Sequence, residues 1–164
     1  MAKYWVCKRQ PTVVGEALEC LGGNGYVEES MMPRLFREAP VNAIWEGSGN
    51  VICLDVLRAV AREPDALPAL LGEIRTARGA DARLDAAVAK LEDDLRDPGD
   101  AETRARDIVE RLAVALQASL LLRNAPPAVA DAFCASRLAG AGRMFGTLPA
   151  STDFAFIVDR ALPA

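Results

Sequence analysis

The sequence has no histidine, and its four cysteines form no C-x-x-C pair. Because zinc sites are built mainly from histidine and closely spaced cysteine, these absences argue against a zinc centre. The cysteines (Cys7, Cys20, Cys53 and Cys134) each stand in an apolar helical context, which favours buried free thiols. No signal peptide is recognisable either, so we expect a reducing, cytoplasmic location.

Basic residues are not in excess: 19 Lys and Arg stand against 23 Asp and Glu, giving a net charge of −4. Nucleic-acid-binding domains usually show the opposite balance, and the average field of this chain repels phosphate, although a local basic face is still compatible with it. The longest apolar runs, such as 112–122, are interrupted or too short to span a bilayer. We therefore expect no membrane partner.

Aromatic residues make up only 5% of the chain, and no stretch alternates polar and apolar residues for long. Many Ala, Leu, Arg and Glu residues favour helix instead. A length of 164 residues with 51% hydrophobic and 26% charged residues is typical of a globular chain with a sizeable core. The composition thus predicts an all-α fold.

Apolar residues at helical spacing predict six or seven amphipathic helices in an antiparallel helix bundle. The first helix ends at Gly22-Gly23, and 22–46 is irregular apart from one short turn around Arg34–Glu38. The remaining helices are predicted at about 48–62, from Pro64 to 74, from an Asp81 N-cap to 95, at 101–123, from Pro126-Pro127 through Met144, and near 153–162, the last burying Phe154, Ile157, Val158 and Ala161. A change to charged, Ala-rich helices near residue 63 divides the chain into 1–62 and a helical C-terminal extension, 63–164, that packs on it.

The first candidate site is the loop that runs from Gly22 to Tyr26, with the sequence Gly-Gly-Asn-Gly-Tyr. Three glycines in four residues allow positive φ and leave backbone N–H groups unshielded, so such a loop can approach a phosphate closely. The same residues would serve as a plain helix stop. Taken alone, the pattern favours the helix stop, because isolated glycine patterns are weak signals.

The second candidate site is the turn Glu46-Gly47-Ser48, which precedes a strongly apolar helix. A glutamate beside Ile44 and Trp45 is expected to be partly desolvated, which raises a carboxylate pKa toward the range of a general base. The alternative is a carboxylate that caps the following helix. The turn by itself favours the cap.

The two segments together, in this order and at this separation, resemble the C-terminal helical domain of the acyl-CoA dehydrogenase family. That family carries a Gly-Gly-x-Gly-Tyr/Phe loop, a Pro followed by an Arg-Asp/Glu segment, and a Glu-Gly-Ser/Thr turn. The matching segments here are Gly22–Tyr26, Met32–Glu38 and Glu46–Ser48. The sequences of residues 40–50, 54–58 and 142–149 are similar to those of the AidB-like, or alkylation-response, branch of the family.

The resemblance implies that Glu46 is the base that removes the α proton of an acyl-CoA thioester while FAD takes a hydride from the β carbon. It also implies two sets of FAD contacts: Gly47 and Ser48 in the turn, and Gly22, Gly23 and Gly25 in a loop that approaches the cofactor of a neighbouring subunit. Because that loop reaches the cofactor of a neighbouring subunit, the resemblance also implies a homo-oligomer, commonly a tetramer. The family's turn continues to a Gln where this chain has Ile52, so that flavin contact is not implied here.

The AidB-like branch resembles dehydrogenases of weak activity that also bind duplex DNA through a C-terminal face. Arg58 lies twelve residues after Glu46 and forms either an exposed i, i+3 pair with Asp55 or part of an acyl-CoA or DNA pocket. A DNA-facing patch would draw on arginines that are interleaved with acidic residues, which favours a solvated surface. These arginines are Arg75, Arg78, Arg104, Arg106, Arg111, Arg137 and Arg143.

Family enzymes carry an N-terminal helical domain and a central β-domain before this region, and those domains hold the flavin ring and much of the acyl-CoA. We therefore expect this chain to be a fragment, a truncated gene product or one half of a split enzyme, and to neither retain FAD nor turn over substrate alone. The competing hypothesis is an AidB-like DNA-associated or oligomerisation module without significant turnover.

Overall fold

The computed structural model describes residues 1–96, 99–140 and 145–162, and this part of the chain contains helices and no strand. The all-α prediction is confirmed. The helices are α1 (Ala2–Cys20), α2 (Gly23–Tyr26), α3 (Met32–Glu38), a 3₁₀ helix (Ala39–Ala43), α4 (Gly49–Arg62), α5 (Ala66–Arg75), α6 (Ala82–Arg96), α7 (Ala105–Asn124), α8 (Pro127–Arg137) and α9 (Phe154–Ala161).

The chain forms two compact units. The first consists of Met1–Arg62 and Asp100–Glu110, and the second of Glu63–Gly99 and Arg111–Ala164 as far as these are described. None of the described helices has the length and apolar character needed to cross a membrane.

In the first unit, α1 is the element against which the others pack. It contacts the 3₁₀ helix, α3, α2 and α4. Tyr4 of α1 is buried with Cys53 of α4, and the start of α7 completes this core with Ala105 and Val109. On the side facing the 3₁₀ helix, the Asn42 amide donates a 2.9 Å hydrogen bond to the Gln10 side chain. Helix α1 therefore fixes where α2 and the segment before α4 lie.

In the second unit, Asp81 caps α6 as its position predicts. Its Oδ1 accepts a 2.8 Å hydrogen bond from the backbone N–H of Arg83. The Arg83 guanidinium pairs with Asp81 and with Asp131 of α8 at 2.6 and 2.7 Å. The apolar core of this unit comes from α5, α6, α7 and α8 and includes Ile74, Leu84, Leu91, Leu112 and Cys134.

Helix α8 is shorter than the prediction, which carried it through Met144. It ends at Arg137, where the N–H groups of Leu138 and Ala139 both donate to the carbonyl of Cys134. Gly140 then adopts a left-handed φ of +69°, a conformation in which helices commonly end. Met144 lies outside the described residues.

Two burial predictions are wrong. Phe154 and Val158 of α9 are exposed, as is Ala161, and only Ile157 is half-buried, because among the elements described α9 packs chiefly against α8. Cys20 is exposed and Cys7 half-buried, whereas Cys53 and Cys134 are fully buried free thiols as expected.

The segment 22–46 is more regular than predicted, since α2, α3 and the 3₁₀ helix all fall within it.

Candidate functional site

The Glu46 turn has an unusual backbone. Glu46 adopts φ = +54° and Gly47 φ = +100°, between the 3₁₀ helix and α4. A positive φ is uncommon for a residue with a side chain, and in the described part of the chain only Asp100 shares it. The family motif therefore places its glutamate at a sharply bent point of the chain.

The turn is attached to the beginning of α1 on both of its sides. The Lys3 ammonium donates hydrogen bonds to the carbonyls of Trp45 and Gly47, at 2.6 and 3.0 Å. Gly49 is buried, and a Cβ there would lie 3.1 Å from Cδ of Lys8. Sequence reasoning missed Lys3, because its contacts join residues that lie 42 and 44 positions apart in the sequence.

The expected desolvation of Glu46 is wrong for this chain. Its side chain is exposed, and its neighbours Ile44 and Trp45 are 66% and 58% exposed. The apolar residues that should have covered the carboxylate face outward instead. The site is thus an open carboxylate beside an open apolar surface.

The Gly22–Tyr26 loop combines an open part with a tightly packed part. Gly22 has φ = +57°, and a Cβ at Gly22 or Gly23 would meet no atom within 4 Å. A Cβ at Gly25 would lie 2.3 Å from the carbonyl oxygen of Leu18. Gly25 is therefore required by the packing of α2 on α1, whereas Gly22 and Gly23 leave backbone accessible from outside.

These two motifs occupy opposite ends of α1. The Glu46 turn is held by Lys3, and Gly25 packs on Leu18, 15 residues further along the helix. At 1.5 Å per residue, this corresponds to roughly 22 Å. One copy of the chain therefore does not bring the glutamate and the glycine loop to a common point.

Arg58 makes the exposed i, i+3 pair that the spacing predicts, with 2.7 Å between its Nη1 and Oδ1 of Asp55. Its side chain and that of Asp55 are 59% and 62% exposed. Arg58 and Glu46 belong to the same unit.

Several of the remaining arginines are engaged by carboxylates. Arg75 pairs with Glu92 at 2.8 Å, and Arg111 pairs with Asp94. Arg143, which the DNA-facing patch would include, lies outside the described residues. In the described ranges, no three acidic or cysteine side chains gather as they would around a metal ion.

Comparison with known proteins supports a family assignment. The family model for the acyl-CoA dehydrogenase C-terminal domain matches residues 1–61. AidB of Escherichia coli strain K12 is 44% identical over 133 residues, which is 81% of this chain and 24% of AidB. Acyl-CoA dehydrogenase family member 11 of Caenorhabditis elegans is 41% identical over 81 residues, 45% of this chain and 13% of that protein.

A solved structure extends the likeness to nearly the whole chain. The crystal structure of Caenorhabditis elegans ACDH-11 in complex with C11-CoA matches with a TM-score of 0.67 and 25% identity, covering 96% of this chain and 31% of that one. The chain thus spans less than a third of the length of these relatives. Residues 1–61, which carry both the glycine loop and the Glu46 turn, thus match the acyl-CoA dehydrogenase C-terminal domain family, and the chain is similar to AidB over 81% of its length.

Proposed function

We propose that this chain is the helical C-terminal part of a flavin-dependent acyl-CoA dehydrogenase, with Glu46 as the base that removes the α proton of the thioester. The observation that carries the proposal is the exposed Glu46 carboxylate. It stands on a turn that contacts α1 both before Glu46, through Trp45, and after it, through Gly49. A base must be held within hydrogen-bond reach of its proton, and such a turn restricts where the carboxylate lies.

The chemistry asked of Glu46 is a single proton transfer. The thioester carbonyl makes the α C–H bond acidic, and the ionised carboxylate accepts that proton while the C–H electron pair forms the new double bond. FAD, when bound, supplies the acceptor for the hydride that leaves the β carbon. Ile44 and Trp45 provide apolar surface beside the carboxylate, and covering them with substrate or another domain would exclude water from the site.

Two glycines of the Gly22–Tyr26 segment fit contact with a cofactor phosphate. Gly22 and Gly23 have open space where a Cβ would be, so a diphosphate could come close to their backbone. Gly47 and Ser48 sit next to the base and are the residues we assign to the flavin side of the site. Because the Glu46 turn and the glycine loop lie at opposite ends of α1, we propose that they serve different sites in a homo-oligomer.

The proposal requires more protein than these residues. This chain spans 31% of the ACDH-11 chain, and we propose that an N-terminal helical domain and a β-domain supply the rest of the FAD and acyl-CoA contacts. Positioning of reactants contributes roughly 7–11 kcal/mol to well-oriented reactions. A chain that holds neither partner should accordingly be inactive.

We do not favour the DNA-associated alternative. Arg75, Arg83, Arg111 and Arg123 each pair with a carboxylate of the second unit, and the whole chain is acidic. Phosphate contacts need cations that are free to replace counterions. Salt-sensitive binding of a duplex by this chain would reverse this choice.

The proposed function is tested by supplying the missing domains. The purified chain alone should be colourless and should leave acyl-CoA unchanged. Co-expression with the N-terminal and β-domains of an AidB-like relative should give a complex that retains FAD, whose absorbance is bleached by saturated acyl-CoA. Glu46→Gln should keep the FAD and lose the bleaching. A colourless complex, or bleaching that survives in Glu46→Gln, would refute the proposal.

A further inference from the structure

We infer that Lys3 is a positioning residue for Glu46: its ammonium group holds the two carbonyls that flank Glu46 and thereby fixes the turn from which the carboxylate projects. The catalytic part of this inference rests on the function proposed above. The structural part, that Lys3 sets the backbone conformation of Glu46, does not depend on that function.

The contacts of Lys3 are specific to the turn. Its Nζ lies 2.6 Å from the carbonyl oxygen of Trp45 and 3.0 Å from that of Gly47, the residues immediately before and after Glu46. An ammonium group with two such acceptors forms charge-assisted hydrogen bonds, which are stronger than neutral ones. Lys3 is half-buried, and its bond to Gly47 is partly buried whereas its bond to Trp45 is exposed, so solvent competes less for the Gly47 bond.

The geometry selects a bent backbone at Glu46. At 2.6 and 3.0 Å from one nitrogen, the two carbonyl oxygens are closer together than the roughly 6.6 Å that separates carbonyls two residues apart in an extended strand. An extended Glu46 is therefore incompatible with both bonds. The observed φ of +54° is a conformation that a glutamate seldom adopts without support from its surroundings.

The direct test is the conformation of Glu46 in the full chain by NMR. The wild-type chain should show a strong intraresidue HN–Hα NOE at Glu46, typical of a positive φ. Lys3→Met should weaken that NOE and shift the Trp45 and Gly47 carbonyl resonances, and it should raise the rate of cleavage after Glu46 by a glutamate-specific protease by at least about tenfold, because charge-assisted hydrogen bonds are lost.

Two variants serve as controls. Lys3→Arg, which keeps a cationic donor, should restore much of the wild-type spectrum and slow the cleavage again. Lys90→Met removes an exposed lysine from α6, in the second unit, and should change neither measurement. An unchanged Glu46 NOE and cleavage rate in Lys3→Met, or equal losses in Lys3→Arg and Lys3→Met, would overturn the inference.

The catalytic meaning is tested in the FAD-containing complex described above. Lys3→Met should lower kcat at least about tenfold with little change in KM, and Lys3→Arg should recover part of it, because the base is displaced while the acyl-CoA contacts remain. If Glu46→Gln abolishes turnover and Lys3→Met leaves kcat unchanged, the positioning role is wrong and the proposed function survives. If Glu46→Gln retains turnover, the proposed function fails, and the NMR test still decides whether Lys3 holds the turn.

Discussion

Among single residues, Glu46 differs from an ordinary surface glutamate in its backbone. Its side chain is exposed, but its φ of +54° is one that glycine adopts freely and a glutamate does not. A left-handed residue with a Cβ carries a cost of roughly 1–2 kcal/mol. A glutamate at a position where a glycine would fit more easily is what a functional carboxylate there would require.

This strain predicts that Glu46→Gly is neutral or stabilising, by up to about 1 kcal/mol, because the left-handed penalty that glycine removes offsets the unfolded-state entropy that glycine adds. Glu110→Gly is the matched control, an exposed glutamate inside α7, where glycine should cost about 1 kcal/mol. Urea unfolding of both variants measures the difference. Equal destabilisation by the two substitutions would show that Glu46 is not strained.

The Lys3 contact could not be predicted from the sequence, because it joins residues 42 and 44 positions apart. The exposure of Glu46 was also missed. Adjacent apolar residues predict burial only when something packs over them, and in the part of the chain that the structure describes Ile44 and Trp45 stay more than half exposed. The pair Asp55–Arg58, by contrast, is a local contact within one helix, and its spacing was sufficient to predict it.

At the scale of the helices, periodicity located α4, α6 and α7 to within a few residues, since each has a long apolar stripe and a clear start or stop signal. It missed α2 and the 3₁₀ helix, which are built from glycine- and proline-containing segments that local rules read as loop. The end of α8 was placed too late because its apolar pattern continues past the capping bonds to Cys134.

The junction of α1 and α2 predicts a contrast between two neighbouring glycines. Gly25→Ala should destabilise the chain by about 1–3 kcal/mol, because the added Cβ would overlap the Leu18 carbonyl. Gly23→Ala should change stability by no more than about 0.5 kcal/mol, since its Cβ meets open space. Thermal unfolding distinguishes the two, and similar losses for both would contradict the packing described for α2.

The capping of α6 predicts a pH dependence in the second unit. Hydrogen bonds from Arg83 hold the pKa of Asp81 below its ordinary value of 3.8. A lowered folded-state pKa means that the stabilisation is present above about pH 4 and is lost as the pH falls through the folded value. Unfolding free energies measured from pH 6 to pH 2 should therefore fall less steeply in Asp81→Asn than in the wild type.

Asn can still cap the helix, so this variant separates the lost charge from the lost cap. The exposed Glu28, whose pKa is also lowered by its pair with Arg37, provides the control. Glu28→Gln should change the pH profile less, because an exposed pair is screened by solvent. A wild-type slope in Asp81→Asn would show that the Arg83 bonds do not contribute to acid stability.

For the molecule as a whole, the exposed apolar residues of the first unit are more informative than its charge. Helix α1 carries Val6 and Val13 on its surface, and exposed apolar side chains continue through Leu21, Tyr26, Met31, Ile44 and Trp45. Large exposed apolar side chains in such number are typical of a surface that another domain or protein covers. In the proposed enzyme, the other domains and neighbouring subunits would cover it.

Without those partners, the chain should associate with itself. Sedimentation velocity should give an average mass that rises with concentration, and Val6→Lys with Val13→Lys should shift the distribution toward monomer. Thr12→Lys, on an exposed position of the same helix, should have a smaller effect. A single monomeric species at every concentration would mean that the apolar surface is too dispersed to form an interface.

The most direct test of the central claim is proton exchange at the substrate α carbon, because it isolates the step assigned to Glu46. The FAD-containing complex would be given, in D₂O, an acyl-CoA analogue with sulfur at the β position, which has no β hydride to donate. NMR should show α-deuteration by the wild-type complex, slowed at least about a hundredfold in Glu46→Gln, the contribution typical of a positioned base, with analogue binding retained. Exchange at the wild-type rate in Glu46→Gln would contradict the assignment of Glu46 as the base.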